Sequence, residues 1–97
     1  MLVIAHHFVQ NADFWTTAQK IMENSELPQN LILHSVFPSK DGKTGTCVWE
    51  AKTTNDVQDY LDKTFGKYAE NVTYEVDEAG GVGLPQKSMA ASGELAL

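Results

Sequence analysis

Histidines, carboxylates and one cysteine are the residues of this chain best suited to chemistry. His6 and His7 are adjacent near the start, and His34 stands in Leu-Ile-Leu-His-Ser-Val-Phe. Cys47 and Glu50 share the run Gly-Thr-Cys-Val-Trp-Glu-Ala, and Glu75 lies in Val-Thr-Tyr-Glu-Val-Asp. An imidazole titrates near neutrality, so beside a carboxylate it can move a proton or ligate a divalent transition metal such as nickel or zinc. Cys47 is the only cysteine, which excludes an intramolecular disulfide and a multi-cysteine zinc site. It reads either as a reactive thiol or as a small buried hydrophobe. No complete catalytic motif is present. The run Gly80-Gly81-Val82-Gly83 lacks the lysine-serine pair and helix start of a phosphate loop.

Hydropathy and turn signals define the elements that must position these groups. Residues 2–9 are apolar and β-rich and read as a first strand. Asn11 offers a helix cap, and Phe14, Ala18, Ile21 and Met22 recur at helical spacing until Leu27-Pro28 ends the helix. Residues 31–37 form a second strand, Asp41-Gly42 a hairpin turn, and residues 45–51 a third strand antiparallel to the second. Thr53 or Thr54 caps a second helix carrying Val57, Tyr60, Leu61 and Phe65 on its apolar side, with Gly66 as its stop. Residues 72–77 alternate and form a fourth strand. Asn71-Val72-Thr73 matches a glycosylation triplet, but Thr73 reads as a strand residue. The order βαββαβ predicts an α+β, ferredoxin-like domain over residues 1–79: a four-stranded antiparallel sheet with two helices on one face. Residues 80–97 read as a glycine-containing C-terminal tail.

Two helices cover one face of such a sheet and leave the other to water or to a partner. If the bulkier set of each strand packs under the helices, Cys47, Trp49, Ala51, Val72, Tyr74 and Val76 face inward. The open face then holds Ile32, His34, Val36, Val48, Glu50 and Glu75. His6 and His7 must point to opposite faces. The bulk of Leu2, Ile4 and Phe8 places that series inward and His7 on the open side. Ile32, Val36 and Val48 suit burial against a second copy, which would enclose imidazole and carboxyl groups between two sheets.

The element order, the short length and the half-apolar face resemble the dimeric α+β barrel superfamily, which includes cofactor-independent monooxygenases. His34-Ser35 followed by a hairpin and Cys47-Val48-Trp49-Glu50-Ala51 is similar to a family of small proteins with a nickel-binding member, Trp49 standing where that family has tyrosine. The resemblance implies a homodimer through the open face, with His34, Glu50 and Cys47 as candidate metal donors. Cys47 and Glu50, three apart on a strand, point to opposite faces and would need a bulge or a second chain to share an ion.

The chain of 97 residues has a formal charge of −6, with seven lysines and no arginine, which disfavours a nucleic-acid partner. No apolar run approaches the ~20 residues of a membrane helix. The start lacks a basic n-region, so no signal peptide is expected and a reducing cytoplasm suits the free cysteine. The expected function is binding of a small organic ligand or a divalent metal between the sheets, with His34, Glu50, His7, His6, Glu75 and Val48 around the guest. A cofactor-independent monooxygenase or isomerase using a histidine base is the alternative. A non-catalytic interaction module is the third.

Overall fold

A computed structural model describes residues 1–87 of the chain. Its elements follow in the order β1 (Leu2–Val9), α1 (Asp13–Glu23), β2 (Ile32–Pro38), β3 (Thr44–Glu50), α2 (Thr54–Phe65) and β4 (Ala69–Glu75). The four strands form one antiparallel sheet in the order β2-β3-β1-β4, the ferredoxin-like arrangement. Residues 80–87 contain no helix or strand, and the rest of the expected tail lies outside the described residues.

Local chemistry sets the element ends. Thr53 is extended, and its hydroxyl oxygen accepts the Asp56 amide at 3.1 Å, closing the first turn of α2. At α1 the cap position is Ala12, and Asn11 does the equivalent work one residue earlier, accepting the Asp13 amide at 2.8 Å. Gly42 takes a φ of +72° in the β2–β3 hairpin, a conformation that favours glycine.

Three features shift the expected faces. First, β2 carries a bulge: Leu33 pairs with Trp49 and Ser35 with Val48, so His34 is the extra residue. An extra residue reverses the phase of everything beyond it. Val36 therefore lies opposite Cys47 and packs on the core, not on the open face, while Phe37 turns outward and is 60% exposed. Second, β1 presents Val3, Ala5 and His7 to the helices, and Leu2, Ile4, His6 and Phe8 to the open face. His7 is thus the buried histidine and His6 the open-face one, the reverse of the expectation. Third, β4 begins at Ala69, and Ala69, Asn71 and Thr73 face α2, leaving Val72 and Tyr74 exposed on the open side. Glu75 pairs with Val3, on the helix side, and is exposed at the sheet edge.

The bulk criterion fails in these strands because α2 lies close against β4 and β1. Small residues allow that approach, and polar ones are paired there: Gln58 of α2 donates to the Asn71 carbonyl at 2.7 Å and accepts from the Thr73 hydroxyl at 2.7 Å. Helix α1 stands further from the sheet. It is tied to the β2–β3 hairpin by Trp15, whose indole N–H donates to the Gly42 carbonyl at 2.7 Å. The ring then lies over Gly45, where an added Cβ would come within 2.6 Å of it. Because the hydrogen bond pins the indole, Gly45→Ala is expected to destabilise the fold by about 1–3 kcal/mol, read as a lower urea midpoint with an unchanged m value.

Candidate functional site

The stand-off of α1 leaves a cavity of about 630 Å³ between that helix and the sheet. Phe14, Ala18 and Met22 line it from the helix, Val36, Cys47 and Trp49 from the sheet. It reaches the hairpin at Lys40–Gly42 and is lined mainly by apolar groups, as small-molecule sites are.

One wall of the cavity is polar and ordered. His7 is 1% exposed, on β1 between Cys47 on one side and Asn71 on the other. Its Nδ1 lies 2.7 Å from the Asn71 side-chain oxygen, and its Nε2 lies 3.1 Å from Cys47 Sγ. The Asn71 amide nitrogen points at the Leu61 and Ala69 carbonyls, 3.5 and 3.4 Å away, which leaves its oxygen for the histidine. An amide oxygen only accepts, so Nδ1 carries the imidazole proton and Nε2 accepts from the Cys47 thiol. The result is a thiol, a base and an orienting amide in series, the arrangement by which thiols are activated as nucleophiles. Burial holds His7 below its ordinary value of 6.5, outweighing the opposing effect of the Asn71 hydrogen bond, with neighbouring His6 adding to the depression. Burial also pushes the Cys47 thiol up to about 12. At neutral pH the resting pair is therefore an uncharged thiol beside an uncharged imidazole.

Trp49 supplies a further polar group. It is 3% exposed and lines the same cavity, yet its indole N–H has no hydrogen-bond partner among the described residues. A buried donor left unpaired costs about 1–3 kcal/mol, so such groups are rare.

The open face carries two separate polar pairs. His34 Nε2 lies 2.9 Å from the Glu50 carboxyl, which is fully buried, at 0% exposure. The bulge brings the two together by giving His34 reach past the regular ladder. His6 Nδ1 lies 3.0 Å from the Thr46 hydroxyl. Thr46 and Glu50 are four residues apart on β3, or ~13 Å, so the two pairs do not merge. Val48 lies between them on the same face. Cys47 belongs to the opposite, helix-side face, so the set His34, Glu50 and Cys47 is not assembled. Among the described residues no group of three or more histidine, cysteine, aspartate or glutamate side chains stands together to hold a metal. Only two of the expected nickel or zinc donors meet, and Glu75 joins neither pair.

Asn71, which backs His7, and Trp49 are the polar residues around the cavity that sequence reading did not assign to the site. Asn71 was visible only as part of a glycosylation triplet, and in the structure it is buried. No family model matches the chain, and no curated protein and no solved structure is significantly similar to it.

A neutral buried His7 has a pH signature. The unfolded chain takes up a proton below about pH 6.5 and the folded site resists it, so this residue's contribution to stability is present above that value and lost as pH falls toward the folded pKa. Urea midpoints of the wild type are expected to decline between about pH 7.5 and 5, with a shallower decline for His7→Gln. Equal slopes for the two proteins contradict the assignment.

Proposed function

We propose that this protein binds a small, mainly apolar organic molecule in the cavity between α1 and the sheet. The observation that carries the reading is the cavity itself, about 630 Å³ and lined mainly by apolar groups, with the His7–Cys47 pair on one wall. The site thus moves from the space between two sheets to the helix side, where His7 and Cys47 are neighbours. Lining tryptophans, Trp15 and Trp49, give an internal probe of occupancy.

The open face keeps a separate role, contact with a second copy of the chain. Phe8, Phe37, Val72 and Tyr74 are exposed there, an apolar set consistent with the homodimer that the resemblance to dimeric α+β barrels implies. The free thiol suits a cytoplasmic setting. His34 and Glu50, paired at the other end of the face, serve in this reading as an interior polar link within the protomer.

Two measurements test these roles. Titration with benzylacetone, an aromatic ketone, is expected to change tryptophan fluorescence saturably. Ala18→Phe, which fills the cavity from α1, is expected to abolish that change without lowering the melting temperature. A wild type blind to aromatic ketones, or an unaffected variant, removes the cavity reading. Sedimentation is expected to give a dimer that Val72→Lys converts to monomer, and a monomeric wild type removes the second-copy role.

A further inference from the structure

The wall of the cavity holds more than a binding reading requires. A ligand site needs an acceptor or a donor. It does not need a thiol hydrogen-bonded to a base whose tautomer is set by an amide. Cys47, His7 and Asn71 lie on three neighbouring strands, β3, β1 and β4: Asn71 pairs directly with His7, and Cys47, opposite Ala5, meets the imidazole diagonally. Groups held on adjacent strands of a sheet are rigid and well placed to hold reacting atoms. Cys47 and His7 both line the cavity, so the thiol and its base border the space a guest would occupy.

We propose that Cys47 is a nucleophile that adds reversibly to an alkene conjugated to a carbonyl group, with His7 as its base, and that the site thereby catalyses cis-to-trans isomerisation of such alkenes. This rests on the cavity being a ligand site and names the chemistry done there. In the forward step the Sγ–C bond forms at the β-carbon. The π pair of the alkene moves through the α-carbon to the carbonyl oxygen, giving an enolate beside the imidazolium that forms on His7. The Sγ proton passes to His7 Nε2, and the Asn71 oxygen stabilises the imidazolium through Nδ1–H. The bond between the α- and β-carbons is then single and rotates. The enolate pair returns, the Sγ–C bond breaks, and the proton goes back from His7 to sulfur. No oxidant, reductant, water or leaving group is consumed, which suits a largely apolar enclosure. The uncharged resting thiol protects the site from oxidation and ties nucleophile formation to the presence of a substrate, since the proton leaves only as the carbon accepts the sulfur.

The test uses the full chain with (Z)-benzylideneacetone as substrate and benzylacetone as its saturated, unreactive counterpart. Conversion to the E isomer is followed by ultraviolet absorbance, and the covalent intermediate by intact mass after acid quench. Wild type is expected to exceed an equal concentration of N-acetylcysteine by at least about 100-fold at neutral pH. Cys47→Ser is expected to lose both the conversion and the adduct while keeping the wild-type circular dichroism spectrum, which shows that it folds. His7→Gln is expected to lose about 10²–10⁴-fold. If benzylacetone binds but wild type is no faster than N-acetylcysteine, the chemical step is wrong and the binding reading stands. If benzylacetone does not bind, the cavity reading fails first. Conversion that survives Cys47→Ser overturns the assignment of the nucleophile.

Discussion

The unequal seating of the two helices on one sheet controls this structure. Helix α2 lies close against β4 and β1 because Ala5, Ala69 and Val3 present little bulk beneath it. Helix α1 carries Phe14 and Trp15, whose rings meet edge to face at 4.8 Å, and it rides higher. A sheet packed evenly on both sides would have no interior space. Uneven packing yields a well-ordered half that carries stability and a looser half that contains the cavity. His7 sits at the seam. Its ring touches Phe14 of the looser half at 5.0 Å and hydrogen-bonds to Asn71 in the tighter one.

That seam explains why buried polar groups are tolerated. An imidazole and a side-chain amide enclosed at 1% and 6% exposure would each be costly alone. Linked in series to a thiol and to backbone carbonyls, each finds a partner. The indole of Trp49 is the exception among the described residues. The same logic applies across the sheet, where the buried Glu50 carboxyl is met by His34. The two histidine pairs lie on opposite faces and are built by different devices, a direct cross-strand pair with Asn71 in one case and a bulge in the other.

Much of the architecture was legible from local signals. Strand β1, the Thr53 cap, the Asp41-Gly42 turn and the apolar spacing of both helices identify the βαββαβ order, because each depends on neighbours in the chain. The faces were less legible. Alternation says which residues lie together but not which set is inside, and bulk is a poor guide where a helix packs closely enough to demand alanine and valine. The bulge at His34 has no turn residue to announce it, so Val36 was placed on the wrong side. Asn71 was hidden for a further reason: its role depends on β4 lying beside β1, a contact of residues 64 apart that no local pattern encodes. Trp49 could be read as core, and it is core. That its N–H lacks a partner becomes visible only when the surrounding space is known.

The anchoring of Trp15 to the hairpin carbonyl separates the rim of the cavity from its reactive wall. The rim belongs to a short surface turn, the kind of segment that tolerates insertion and exchange, whereas the wall is woven into the centre of the sheet. Descendants of such a scaffold can therefore alter what is admitted by editing a handful of turn residues, and inherit the thiol, imidazole and amide untouched.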